Sequence, residues 1–330
     1  MKITNIKSHI LEHELGEELG YSQQFYSKRS AHLVEIQTDE GITGWGECFG
    51  PGNVAKANKC IVEKVILPLI IDYDPLNREV IWHKVYNLLR DHGQKGMVLQ
   101  ALSGVDIALW DIGGKVTGQS ISKMIGGRHR EKVAVYGYGM MLRKEDFNSL
   151  TDRFEEEAAS IKMSGFVATK MKVGLGIDKD LKLAEAVRKG IGDNFKFMVD
   201  ANHCYTLGDA LYIGRGLEEL KAFWFEEPVA PEDYNGYKEL RKKLDIKIAG
   251  GETEFTRWGW RGLFENECLD IAQPEVCALG GISEYLKVIA LAHSFFVPVV
   301  NHVWGSDLAV AINLQLLAAM PPLPGGLFPA

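Results

Sequence analysis

Three short apolar runs, each ending in an acid, decide the reading of this chain: FKFMVD (195–200), AFWFE (222–226) and IKIAGGE (246–252). Asp200, Glu226 and Glu252 are separated by 26 residues and then by 26 again. Each interval holds one amphipathic helical pattern before the next strand-like run. A constant strand-to-strand period with a helix between is the pattern of consecutive βαβ units in a parallel sheet. Right-handed crossovers bring the C-terminal strand ends of such a sheet to one face. The period therefore sets three carboxylates side by side on that face. Converging anions repel one another and lose hydration. A hard divalent cation relieves both costs, and an all-oxygen donor set points to Mg2+. Taken singly, each acid could be an ordinary helix N-cap or strand-end carboxylate; the shared phase argues otherwise.

The same rhythm extends in both directions. It begins near Val133, with strands predicted over 133–138 and 166–173 ahead of the three acid-tipped ones. A sixth strand is predicted over 269–273 and a seventh over 297–301, with helical patterns at GISEYLKVIALAHSF (281–295) and LAVAINLQLLAAM (308–320). Seven βα units point to a closed TIM-type barrel of (β/α)7β form. Only a short strand over 327–330 is left to close it, so either closure is incomplete or the protein continues. Residues 128–330 are thus expected to form the barrel, with its closing segment apparently missing.

Residues 1–127 read as an α+β capping domain. KITNIKSHIL (2–11) alternates, and AHLVEIQTDEGITGWGE (31–47) reads as a hairpin turning at Asp39-Glu40-Gly41. The stretch 14–30 is polar and aromatic without a period, and 49–53 holds two glycines and a proline. Both are expected to be loops that cover something. From 55 to 126 the pattern is helical, most clearly in ALSGVDIALWDIGGK (101–115). Asp106 and Asp111 share no tight face there and are expected to cap or bridge within the domain.

Composition narrows the function. Hydrophobic residues make up 46% and charged residues 25%, as in a globular enzyme, and the net charge of −7 argues against nucleic acid or an anionic membrane as partner. The five cysteines are scattered, with no CxxC, which suits reduced thiols and a cytoplasmic protein. No signal peptide and no membrane-spanning run is expected.

At the second strand's end, TKMK (169–172) sends Lys170 and Lys172 the same way, about 6–7 Å apart. Two neighbouring ammonium groups, with a metal beyond, are expected to lower a lysine pKa toward neutrality and make it a base. On the sixth and seventh strands Asp270 and His302 lie 32 residues apart, so the carboxylate could orient the imidazole. His203, at an odd offset from Asp200, is expected to aim away from the ligand face. A substrate carboxylate at the metal would hold its α-carbon between Lys172 and His302, and Lys170 would help hold the growing oxyanion charge. Tyr21, Arg29, Asn202 and Trp304 are candidate substrate contacts.

These pieces together resemble the enolase superfamily, mandelate racemase subgroup, over essentially the whole chain. The matching motifs are GWGE (44–47), ALSGVDIALWDIGGK, TKMK, VDAN (199–202), WFEEP (224–228), GGE (250–252), DIAQPE (270–275), GGISE (280–284) and NHVWG (301–305). The superfamily is known for a Lys or His base working with Mg2+. The resemblance implies metal ligands at Asp200, Glu226 and Glu252, a Lys172 base and a His302–Asp270 dyad. It also implies that 14–30 and 49–53 cap the barrel mouth and choose the substrate. YNLLRDHGQKG (86–96), DANHCYT (200–206), FWFEEPVAPE (223–232) and VNHVWGSD (300–307) are most similar to acid-sugar dehydratases and lactone cycloisomerases of the galactarolactone type. Galactonate dehydratase-type members carry histidine two places after the first metal ligand; Asn202 stands there, which argues against their mechanism.

The implied activity is Mg2+-dependent abstraction of the proton α to a carboxylate through an enediolate, followed by β-elimination. The substrate would be a small acid sugar or its lactone, and homo-oligomers are usual among such enzymes. A racemase or epimerase of a 2-hydroxy acid is the alternative within this chemistry. A retaining glycosidase would need two carboxyls about 5–5.5 Å apart and no lysine base. A non-catalytic barrel that only binds would leave the full ligand set without purpose.

Overall fold

The computed structural model describes residues 1–323. The chain opens with three antiparallel strands in the order β1 (Ile3–Tyr21), β2 (Gln24–Thr38) and β3 (Thr43–Cys48). The β2–β3 turn falls where the sequence places it, closed by the Thr38 hydroxyl, which donates to the Ile42 carbonyl at 2.8 Å. The stretch 14–30 departs from expectation. It is not a loop: β1 and β2 run through it as a long hairpin that turns at Ser22-Gln23. Its middle buries neither face, so no hydrophobic alternation marks it as strand.

Helices follow at α1 (Asn53–Cys60), a π-helical turn at Ile61–Ile66, α2 (Leu67–Ile70), α3 (Arg78–Leu89), α4 (Met97–Thr117) and α5 (Ile121–Met124). The GWGE glycines have a packing reason. A Cβ on Gly44 would sit 2.2 Å from the Ala108 carbonyl oxygen, and one on Gly46 would sit 2.0 Å from that of Gly104. Strand β3 and helix α4 therefore pack backbone to backbone.

The second sheet is parallel, in chain order: β4 (Gly137–Tyr138), β5 (Ala168–Lys172), β6 (Lys196–Asp200), β7 (Trp224–Glu226), β8 (Lys247–Gly250) and β9 (Ile271–Ala272). Between and after these strands come α6 (Phe147–Met163), α7 (Ile177–Ile191), α8 (Leu207–Glu219), α9 (Tyr234–Lys243), α10 (Thr256–Glu265), α11 (Gly281–Ser294) and α12 (Asp307–Ala319). The fold is a TIM-type barrel carrying an α+β cap. The expected seventh strand is a single parallel bridge from Val299 to Ala272, supported by bonds to Pro298 and Val300. The strand predicted over 327–330 lies outside the described residues.

The cap sits on the barrel through buried polar joints. Asp106 accepts from the Ser283 amide at 2.9 Å and from its hydroxyl at 2.6 Å. Asp106 thus bridges to the barrel rather than within the cap, whereas Asp111 stays local, accepting from the Trp45 amide and Lys115. Glu47 crosses in the same way to Ser306 and Ala309. Among the described residues no helix is long and apolar enough to cross a membrane.

Candidate active site

Strand alternation builds the site in layers. Ala168, Met198, Trp224, Ala249 and Ile271 pack together as an apolar layer inside the barrel. Two residues further along their strands come Lys170, Asp200 and Glu226, on the same inward side. Parallel register then pairs Lys172 with Asp200, and Asp200 with Glu226. Glu252 follows two residues beyond β8. Asp200, Glu226 and Glu252 offer oxygens that all lie within 4.8 Å of one another. The 26-residue period thus does bring its three acids together.

Both lysines of TKMK lie among these acids. Lys172 Nζ donates to Asp200 Oδ2 at 2.5 Å and to Asn202 Oδ1 at 2.7 Å. Lys170 Nζ donates to Glu226 Oε1 at 2.5 Å and stands 3.1 Å from Asp200 Oδ2. The expected lowering of their pKa is not what these protein groups produce. Burial pulls both lysines down, but the carboxylates, Asp200 for Lys172 and Glu226 for Lys170, outweigh it, and both stand above the usual lysine range. Like-charge repulsion from Lys170 on Lys172 is the smaller effect. Burial raises Asp200 as well, yet the two lysines hold it well below the usual carboxylate range. Glu226 is driven upward by burial and by Asp200. Its Oε2 accepts from the Trp224 indole N–H at 2.9 Å and the Gln273 amide at 2.8 Å.

His302 lies at the other end of the trio, its Nε2 3.1 Å from Glu252 Oε2. Its partner is not Asp270. His302 Nδ1 lies 2.8 Å from Glu275 Oε2, which also accepts from the Trp304 amide at 3.3 Å. Asp270 precedes β9 and therefore belongs to the opposite, N-terminal end of the strands. There it takes Arg241 Nε at 2.8 Å and the Ile248 amide at 2.9 Å. Glu275 lies 23 residues after Glu252, off the 26-residue period, but like Glu252 it comes after the end of its strand, whereas Asp270 comes before its own. Burial lowers the His302 pKa, but Glu252 and Glu275 lift it above the ordinary histidine value. His203 turns to Glu227, with its Nε2 3.2 Å from Glu227 Oε2. Glu227, wholly buried and pushed well up by desolvation, is a site neighbour the sequence reading passed over.

The hairpin tip closes over this face. Ser22 Oγ donates to the carbonyls of Ala201 and Asn202 at 2.8 and 2.9 Å, and Gln23 Nε2 donates to Asn202 at 2.8 Å. Gly20 pairs with Leu142, and Arg143 holds Glu17 at 3.1 Å. The Tyr21 ring lies 5.9 Å from Lys172 Nζ, so Tyr21 and Asn202 both flank that lysine. Arg29 and Trp304 form a separate pair, the guanidinium 3.8 Å above the indole. Phe49, from the glycine- and proline-rich stretch, meets the His302 ring edge at 6.1 Å.

The donor set tests well for a hard cation. Its three candidate ligand residues are all carboxylates. Glu252 Oε2 is buried and accepts no aligned hydrogen bond, although His302 stands at ion-pair distance. A buried carboxylate oxygen so left costs free energy unless something else claims it. Asp200, Glu226 and Glu252 fit Mg2+ by donor type and convergence.

Comparison with known proteins follows the same lines. Residues 153–325 match the family model for the enolase C-terminal domain-like fold, and residues 19–126 match that for the mandelate racemase/muconate lactonizing enzyme N-terminal domain. The chain is 42% identical over 325 residues to D-galactarolactone cycloisomerase of Agrobacterium fabrum, covering 98% of this chain and 84% of that protein. It is 35% identical to arabinonate dehydratase of Saccharolobus solfataricus, covering 87% and 76%. The crystal structure of 3,6-anhydro-D-galactonate cycloisomerase from Zobellia galactanivorans superposes with a TM-score of 0.87 at 37% identity, over 97% of this chain and 85% of that one. L-talarate/galactarate dehydratase of Salmonella typhimurium LT2, liganded with Mg and L-lyxarohydroxamate, gives 0.87 at 27% identity, over 98% and 81%. This chain is an enzyme of the enolase superfamily and belongs to its mandelate racemase/muconate lactonizing enzyme family.

Proposed function

We propose that this chain removes the proton α to the carboxylate of an acid sugar or sugar lactone and expels the oxygen on the β-carbon, as a dehydratase or lactone cycloisomerase. One observation carries the reading: two groups able to move a proton touch opposite ends of the carboxylate trio, Lys172 at Asp200 and His302 at Glu252. Mg2+, held by Asp200, Glu226 and Glu252, would supply the positive charge that acidifies the α-proton. The neutral member of the Lys172/His302 pair takes that proton. The released electron pair forms the carbon–carbon double bond as the β carbon–oxygen bond breaks. For a hydroxyl leaving group the other member gives its proton, so water departs and the enol relaxes to a 2-keto acid. For a lactone, the leaving oxygen is the ring ester oxygen and departs as a carboxylate on the same molecule. Glu275 on Nδ1 fixes the imidazole so that Nε2 faces the trio. Lys170, beside Glu226, is placed to steady negative charge on the substrate carboxylate.

The acid-sugar relatives support the substrate class. The free cysteines support a cytoplasmic setting, in which the enzyme works on a small-molecule carboxylate as a homo-oligomer. The test is NMR in D2O with Mg2+ and a panel of aldonic acids, aldaric acids and their lactones. Expected are α-deuterium incorporation and a keto-acid product. Lys172→Met should lower the rate about 10²–10⁴-fold, and EDTA should abolish it until Mg2+ is restored. Exchange without elimination would move the assignment to epimerisation. Neither exchange nor keto-acid product on any member of the panel would overturn it.

A further inference from the structure

We infer that Arg29 is the receptor for a second carboxyl group of the substrate, which makes the preferred substrates aldaric acids and their lactones rather than aldonic acids. This rests on the acid-sugar reading above and deepens it.

The observations come from a cavity of about 400 Å3 beside the catalytic face, lined by Tyr26, Arg29, Tyr138, Arg143 and Trp304 among others. It shares walls with the site. Tyr138 faces Lys172 Nζ at 5.9 Å on one side and the Trp304 ring at 6.4 Å on the other. Trp304 follows His302 by two residues, and its amide is held by the same Glu275. A substrate anchored between Lys172 and His302 therefore extends its far end toward this hollow.

Two guanidinium groups line it, and only one is neutralised. Arg143 is paired with Glu17 at 3.1 Å and Glu157 at 2.7 Å. Arg29 has no carboxylate partner among the described residues. Among the described residues its nitrogens reach only the Gly305 carbonyl, at 3.4 Å, while its plane rests on the Trp304 indole. Stacking on an indole fixes the guanidinium plane and leaves its N–H edge free. That is the geometry with which arginine takes a carboxylate through two parallel hydrogen bonds. Tyr26, packed edge-on to Trp304 at 5.9 Å, closes the opposite wall and adds a hydroxyl.

The chemistry gains from a cation at that place in both substrate forms. An open aldaric acid presents its second carboxylate already formed. A lactone generates one as the ring ester oxygen departs, so the cation meets charge that grows during the bond-breaking step. A terminal hydroxymethyl group, as in an aldonic acid, offers one neutral acceptor oxygen and no charge for the guanidinium to pair with.

The experiment compares kcat/KM for galactarate and its 1,4-lactone against galactonate, in the wild type and in Arg29→Met and Arg29→Lys, each with Mg2+. Calorimetric Kd values for galactarate and galactonate are measured alongside, so that slow turnover still yields a reading. Expected is a fall of about 10–100-fold in the diacid-to-monoacid ratio on Arg29→Met, by the usual worth of a hydrogen bond to a charged group, with partial recovery in Arg29→Lys. An equal loss on both substrates would mean that Arg29 only shapes Trp304. Unchanged kcat/KM on every substrate would mean that it faces solvent. Either overturns the inference. Lys172→Met combined with His302→Asn separates this from the underlying reading, because activity retained with both proton-moving groups removed refutes the proton-abstraction chemistry whatever Arg29 does.

Discussion

At the residue scale, Glu275 and Asp270 are the instructive pair. Both are acids in DIAQPE, and both lie within one βα unit of His302. Strand polarity separates them: only residues after β9 reach the catalytic face, and Asp270 stands before it. Reading the motif as a block hid that distinction, which rests on where β9 begins and ends. Glu275→Gln should keep the His302 tautomer but lose the charge that supports an imidazolium, lowering kcat about 10–100-fold. Asp270→Asn should leave kcat as it is and weaken the fold by about 1 kcal/mol, because its partner Arg241 is a partly exposed ion pair. Steady-state kinetics and thermal melting of both variants check the pair. A larger kcat loss in Asp270→Asn would reverse the assignment. The lysines teach a related lesson. Their positions were legible from period two, but the carboxylates that converge on them from other strands were not, and these set the balance of charge around both ammonium groups.

At the scale of elements, barrel strands were legible wherever burial was two-sided or alternating. The hairpin of β1 and β2 was not. Between Leu11 and Leu19 its side chains are mostly exposed on both faces, so the chain shows strand geometry without strand patterning. Its order comes from backbone pairing and from the contacts at its tip. Ser22 is the chief of these, with one hydroxyl shared between two carbonyls of the segment that carries Asn202. Ser22→Ala should loosen the tip by about 1 kcal/mol. Amide exchange over 19–26 should quicken, and KM should rise several-fold with little change in melting temperature. Unaltered exchange there would show that the Gly20–Leu142 pairing and the Arg143–Glu17 pair suffice to hold the tip.

At the scale of the whole molecule, cap and barrel are joined by groups that neither could bury alone. Helix α4 is apolar on nearly every side because β3 covers one face and α11 approaches another, and Asp106 sits in that second contact. It is wholly buried with no cation in hydrogen-bond contact, and desolvation pushes its carboxyl up to about 7 despite two hydrogen bonds from Ser283. A folded-state pKa raised above the unfolded one has a defined sign. Below about pH 4 the carboxyl is protonated in both states, and it costs nothing. Between there and pH 7 the unfolded chain releases the proton while the folded one keeps it. Stability therefore falls by about 1.4 kcal/mol per pH unit over that window and levels off above it. Asp106→Asn cannot titrate and keeps an oxygen for Ser283. Its melting temperature, subtracted from that of the wild type, should give a difference most favourable to the wild type near pH 4.5, shrinking toward pH 7 and level above it. Denaturant or thermal melts at four or five pH values measure it. A difference independent of pH would mean that Asp106 is already ionised in the folded protein, and that Arg78, the guanidinium on α3 that lowers its pKa, compensates its burial.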